Sequence, residues 1–306
     1  MLPALPQPFG LRVAPPVSRG KMRGMTAPNA ARPSDPPLRT LPMASGPACY
    51  TDEGEGPALI AIHGLPASAR DFRWLAPRVS EHLRFIRLEL PGFGGTPSST
   101  HPDPSPKGRA RFILEFVEEL GLTGVERRPV LLGHSMGGVA ACAAVDLAPD
   151  AFSGLALIAS PGLRPHRQLA RFPAGPLYSA LRRPWVASAL APVVRRGFER
   201  VGFKGYPDTE IHRSVACVAH TSIARHARNI RALSLPTLTA HCEDDPLIEA
   251  DILDTLSHAV PPGPRLRWAK GGHNPQKTHA EELGRALVEW TMQLAARDQP
   301  RDAPAA

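Results

Sequence analysis

The chain has 306 residues, 42% hydrophobic and 21% charged, the composition of a globular protein long enough for one large core and a smaller lobe. It has no run of 18 apolar residues to cross a membrane, and Cys49, Cys142, Cys217 and Cys242 stand too far apart for a disulfide framework or a metal motif, which suits a reducing, cytoplasmic setting. The net charge of +8 is uneven: residues 1–46 hold +5 and residues 161–235 hold +10, leaving the rest mildly acidic, and with no nucleic-acid motif and 6% aromatics the basicity does not point to nucleic acid.

Residues 1–46 read as a disordered, proline-rich tail. Leu-Pro, Gln-Pro, Ala-Pro-Pro and Asp-Pro-Pro recur there, and each proline interrupts a helical or strand period. The prolines also break the apolar stretch a secretory signal needs and oppose the amphipathic helix of a transit peptide. A tail, or a true start at Met22, Met25 or Met43, fits better.

From residue 47 onward, short apolar runs alternate with helix-length segments. Runs at Ala58–Ile62, Phe85–Leu90, Val130–Leu132, Leu155–Ala159, Pro236–Ala240 and Arg265–Trp268 have the continuous apolar character of strands covered on both faces. Arg109–Leu120 is amphipathic, Met136–Leu147 is alanine-rich as a helix packed closely on a sheet would be, and Glu281–Leu294 carries a helical apolar stripe. The alternation predicts an α/β fold with a mostly parallel, doubly wound sheet, its chemistry beyond the carboxyl ends of the strands. Residues 162–232 break the rhythm with helical pieces at Leu177–Leu190 and Thr209–Ile230 and no strand run. They read as a helical cap inserted after the strand ending near Ala159, between core parts 47–161 and 233–298, with a second tail at 299–306.

Gly133-His134-Ser135-Met136-Gly137 follows a strand run and opens a helix. A sharp strand-to-helix turn exposes a serine there, side chains at the flanking glycines would collide with neighbouring backbone, and the Met136 N–H at the helix start is free for a developing oxyanion. A serine hydroxyl needs a base and an orienting acid. For a turn of this kind they follow in the order acid, then histidine, beyond later strands. Glu243-Asp244-Asp245 follows the Pro236–Ala240 run and Gly271-Gly272-His273 follows the Arg265–Trp268 run. Asp245 is the expected acid, with Asp244 or Glu243 as alternatives, and His273 the expected base. The loop His63-Gly64-Leu65-Pro66 offers the Leu65 N–H as second oxyanion donor. His63 and His134 are read as structural.

These motifs, with Leu90-Pro91-Gly92-Phe93-Gly94 and Gly138, make the stretch from about 48 to 296 resemble the α/β-hydrolase superfamily, in its branch of serine carboxylesterases, haloperoxidase-like enzymes and carbon–carbon bond hydrolases. Cys242 stands where relatives usually have glycine, and Glu89 where they usually have aspartate. A serine nucleophile sets the chain apart from the dehalogenases and epoxide hydrolases of that fold, which use aspartate. The resemblance implies hydrolysis of a small-molecule carboxylic ester or related acyl bond through an acyl-enzyme on Ser135, with no metal and no organic cofactor. Thioesterase, lactonase and carbon–carbon hydrolase activities are alternatives within the fold, and a non-catalytic small-molecule binding protein is an alternative outside enzymes. Phe172, Leu177, Tyr178, Trp185 and Phe198 of the cap are expected to contact substrate. The cap's arginine excess fits either attraction of an anionic substrate or membrane surface, without stable insertion, or a solvated helical face. The sequence sets no oligomeric state.

Overall fold

In the computed structural model, which describes residues 35–298, the apolar runs become an eight-stranded sheet. Its strands are β1 (Arg39–Leu41), β2 (Ala48–Glu53), β3 (Ala58–Ile62), β4 (Arg84–Leu88), β5 (Val130–His134), β6 (Gly154–Ile158), β7 (Thr237–Cys242) and β8 (Arg265–Trp268). Their spatial order is β1-β2-β4-β3-β5-β6-β7-β8, with β1–β2 and β2–β4 antiparallel and every later pairing parallel. The expected runs at 58–62 and 265–268 match β3 and β8, and the other four differ by one or two residues at their ends. The doubly wound, mostly parallel α/β fold is therefore the one observed.

Helices α1 (Ala76–Val79), α2 (Pro106–Glu119) and α3 (Met136–Leu147) link the first parallel strands. Between β6 and β7 lie α4 (Arg167–Arg171), α5 (Ala174–Leu181), α6 (Pro184–Arg200), α7 (Asp208–Ala219) and α8 (Ile223–Ala232). The chain closes through α9 (Ala250–Ala259), α10 (Pro275–Thr278) and α11 (Ala280–Asp298). Successive side chains of a strand point to opposite faces, so alternate residues feed two cores. Ile60, Ile62, Ile86, Leu88 and Leu131 pack toward α2 and α3, while Leu59, Ala61, Phe85, Val130 and Leu132 pack with Leu283 and Leu287 of α11. The small residues Ala140, Ala141 and Ala144 let α3 lie close on the sheet, and every residue from Met136 to Val145 is buried.

Three expectations are corrected. The segment read as tail contains β1, paired with β2 at the sheet edge. Prolines 36, 37 and 42 flank this strand instead of interrupting it, and three residues are too few to display a period. Residues 1–34 and 299–306 of the expected tails lie outside the described residues. The helix expected at 177–190 is two helices, because Pro184 forces Arg183 out of the helical region to φ −95°, ψ 115°. The helix expected at 209–230 is also two, broken where the Ser222 side chain accepts from the Arg225 amide and caps α8.

Arg87 of β4 is 1% exposed and donates to Thr51, to the carbonyl of Ala69 and to the carboxylates of Asp35 and Glu53. The ion pair at 2.9 Å to Asp35 ties the segment before β1 to the sheet. Removing one partner of a buried, hydrogen-bonded pair is costly because the others are left without a counter-charge. Arg87→Ala is expected to lower unfolding stability by about 3 kcal/mol, measured by urea denaturation.

Candidate active site

Ser135 stands between the end of β5 and the start of α3 at φ 52°, ψ −126°. An L residue rarely adopts a positive φ without outside support. Here the Ser135 N–H donates to Ile158 O of β6 at 2.9 Å, and its carbonyl accepts from Gly138 N at 2.9 Å. A Cβ on Gly133 would lie 2.5 Å from Gly138 Cα, and one on Gly137 would strike the carbonyls of Ile62 and His63. The sharp turn thus requires glycine on both sides of the serine.

The three expected catalytic side chains meet. His273 Nε2 is 2.9 Å from Ser135 Oγ, and His273 Nδ1 is 2.7 Å from Asp245 Oδ2. Asp245 also accepts from the amides of Leu247 (2.8 Å) and Ile248 (3.1 Å), and its side chain has no exposed surface. Burial alone would raise its carboxyl. The hydrogen bond and charge of His273, with the two amides, outweigh burial and hold it below the ordinary carboxylate range. An ionised Asp245 can only accept, so Nδ1 of His273 carries the proton and Nε2 is left to accept from the serine hydroxyl. Asp244 is turned elsewhere: it accepts from Gly272 N at 2.7 Å. Of the two neighbouring carboxylates, Asp245 is the one that meets His273. Cys242 is buried with its thiol against Gly271, leaving no room for a Cβ there, and does not disturb that pairing.

A Cβ on Gly64 would lie 3.1 Å from Ser135 Cβ, so the loop carrying Leu65 runs directly beside the serine. Met136 is the first residue of α3, and neither its amide nor that of Leu65 donates to an acceptor among the described residues. His63 fixes this loop: Nδ1 donates to Gly64 O at 2.7 Å and Nε2 accepts from Leu90 N at 3.0 Å. Burial lowers its pKa to about 4, so it stays neutral. His134 is likewise buried and neutral, lowered to about 3 by burial, and its Nε2 donates to the His273 carbonyl at 2.9 Å. Neither histidine hydrogen-bonds Ser135. Glu89, buried before Pro91-Gly92, accepts from Gly95 N and fills the space a side chain at Gly94 would need.

Ser135, Met136, Leu65 and His273 open into a cavity of about 560 Å³, walled mainly by apolar side chains of the helical insert. Phe172 and Phe198 line it, in edge-to-face contact at 6.1 Å, as does Leu177. Tyr178 and Trp185 do not. One residue past Leu177 is 100° around α5, and Tyr178 therefore packs on His220, which caps the end of α7, at 4.9 Å. Trp185 lies on the outer face of α6, 74% exposed. The sequence reading missed Val193, Val194 and Val201, although with Gly197 and Phe198 their spacing of four is a helical stripe. It also missed Leu247 and Ile248, which follow the acid.

The fold and this serine–histidine–aspartate line define a hydrolase-type site on a doubly wound sheet. The chain belongs to the alpha/beta hydrolase family, whose model matches residues 59–286. Among curated relatives, the uncharacterized hydrolase YugF of Bacillus subtilis is 32% identical over 104 residues, 34% of this chain and 37% of that one. The chain thus spans little more than a third of the length of that relative. The pimeloyl-[acyl-carrier protein] methyl ester esterase of Xanthomonas axonopodis pv. citri is 26% identical over 256 residues, 78% of this chain and 96% of that one. A solved thermophilic esterase from Thermogutta terrifontis superposes with a TM-score of 0.61 at 20% identity, covering 85% of this chain and all of that one, a likeness of fold. No helix among the described residues is long and apolar enough to cross a membrane.

Asp245→Asn should leave the geometry intact yet lower kcat about 10⁴-fold, because the amide no longer fixes the His273 tautomer. Asp244→Asn, which removes a charge but keeps an oxygen to accept from Gly272 N, should cost less than about tenfold, so steady-state kinetics of the pair assigns the acid. A second expectation concerns Asp71, whose Oδ2 lies 3.7 Å from the lone pair on His134 Nδ1. Burial raises its pKa to about 7. A carboxyl raised on folding opposes the folded state increasingly as pH climbs from the unfolded value, near 4, through 7. Asp71→Asn should therefore raise Tm by a few degrees at pH 8 and little at pH 4, read by thermal denaturation.

Proposed function

We propose that the chain is a serine hydrolase that cleaves esters of small-molecule carboxylic acids through an acyl-enzyme on Ser135. The observation that carries this reading is the unbroken hydrogen-bond line from Ser135 Oγ through His273 to Asp245, at 2.9 and 2.7 Å. In it, His273 Nε2 takes the hydroxyl proton as Oγ attacks the acyl carbon. The carbonyl oxygen becomes an oxyanion beside the unengaged amides of Leu65 and Met136, where the loss of one donor typically costs about 3 kcal/mol. Asp245 stabilises the imidazolium, which returns its proton to the departing alkoxide. Water, deprotonated by the same Nε2, then attacks the acyl-enzyme, releasing the acid and restoring Ser135.

The apolar lining from Phe172, Leu177, Val194 and Phe198 supports an acyl group that is aliphatic and longer than acetyl. The helical insert acts in this reading as the cap that excludes water. The esterase named above, alignable over nearly its whole length, supports ester over other acyl bonds.

A fluorophosphonate probe should label the native chain and leave Ser135→Ala unlabelled, with ester hydrolysis falling at least about 10⁴-fold. Across p-nitrophenyl esters, kcat/KM should rise from acetate toward octanoate by up to about fourfold per methylene. Folded native chain that takes no probe would instead indicate a binding protein, and turnover of β-diketones but not esters would indicate a carbon–carbon hydrolase.

A further inference from the structure

The basic side chains of the helical insert fall into two sets. Arg164 pairs with Asp251, Arg167 with Glu249 and Arg195 with Asp208. Arg213 donates to the carbonyls of Pro91, His101 and Pro102. These four tie the insert to the core or to itself. Arg182, Arg183, Arg196, Arg200 and Lys204 are exposed and have no ion-pair or hydrogen-bond partner among the described residues. All five lie on α6 or within four residues of its ends; Arg171 on α4 and Arg225, Arg228 and Arg231 on α8 are likewise exposed with no side-chain partner among the described residues.

At 100° per residue, Trp185, Ala189, Pro192, Arg196 and Arg200 share one face of α6, with Val193 at its margin. All six are exposed, Val193 at 65%, and the helix fully buries only Val194. α6 therefore turns a narrow stripe toward the cavity and a broad face to the outside. That outer face is apolar, with a tryptophan, in its first half and cationic in its second. Val193 and Val201 are both exposed and part of the cavity lining, so this face borders the cavity mouth.

A merely solvated face has no use for an exposed tryptophan and valine, and a purely electrostatic patch would do without them. An aromatic residue with aliphatic neighbours between unpaired arginines is the pattern of a helix lying in a membrane interface, where the ring enters the headgroup zone and arginines meet lipid phosphates. We infer that α6 docks the protein onto an anionic bilayer surface. Trp185 and Val193 enter the interface, Arg182, Arg183, Arg196 and Arg200 sit on lipid phosphates, and the cavity mouth opens at the level of the lipids. The helix lies on the membrane and does not span it.

The test is vesicle flotation of the full chain, without substrate, so its failure is distinct from failure of the hydrolytic reading. Vesicles are of phosphatidylcholine alone or of phosphatidylcholine mixed with phosphatidylglycerol. Partitioning should favour the anionic vesicles and fall with added salt. Trp185→Ala should weaken it, and Arg196→Glu with Arg200→Glu should weaken it at least about tenfold, while hydrolysis of a soluble p-nitrophenyl ester stays unchanged. Three results would overturn the inference. Absent binding to anionic vesicles is one. Binding indifferent to these substitutions would locate the contact elsewhere, as in the basic first 46 residues. Binding that depends on the arginines but not on Trp185 would mark an electrostatic patch suited to an acidic macromolecule.

Discussion

The positive φ of Ser135 is the constraint on which the site is built. A conformation of this kind costs on the order of 1–3 kcal/mol and persists only where the surroundings over-determine it. β6 grips the Ser135 amide through Ile158 O, α3 grips its carbonyl through Gly138, and the absent side chains at Gly133 and Gly137 let β5, β3 and α3 close around it. Ala159, just past β6, carries a second positive φ of 43°, and Ser160 Oγ donates to the Ser135 carbonyl at 3.3 Å. The same turn that lifts the hydroxyl clear of the sheet puts the Met136 amide at a helix start, where it has no internal acceptor.

Around that turn, two histidines are kept neutral by burial and used as rigid struts. His63 links its own loop to Leu90, and His134 supports the His273 carbonyl. Each has its tautomer set by a partner that can only accept or only donate. His273 therefore rests on buried hydrogen bonds on both sides: Asp245 on its ring and His134 on its backbone. Asp245 is kept ionised by three contacts, the imidazole and two amides, which outweigh the burial that would otherwise favour its neutral form.

Much of this was legible in the sequence because it rests on local rules. Apolar runs bounded by Gly, Pro or Ser gave β3, β5 and β6, and the Gly-x-Ser-x-Gly turn, the acid loop and the Gly-Gly-His loop each follow a run that became a strand. What was not legible depended on distance or on single residues. β1 has three residues and exists because it pairs with β2 and because Asp35 meets Arg87 across the sheet. The split of the insert helices turned on Pro184 and Ser222. Phe172 and Phe198 were expected at the cavity and line it, whereas Tyr178 and Trp185 share their aromatic character but face other ways around their helices. Residue type alone does not report a helix's rotation about its axis, although the valine stripe of α6 carried that information.

The sharpest test of the serine–histidine–aspartate line is rapid-quench mass spectrometry of the intact chain mixed with a slow p-nitrophenyl ester. An acyl mass on the protein, mapped by digestion to Ser135 and formed as fast as the burst of p-nitrophenol, is the expected result. Turnover of the ester with no covalent adduct at Ser135, or with the acyl group on another residue, would contradict it.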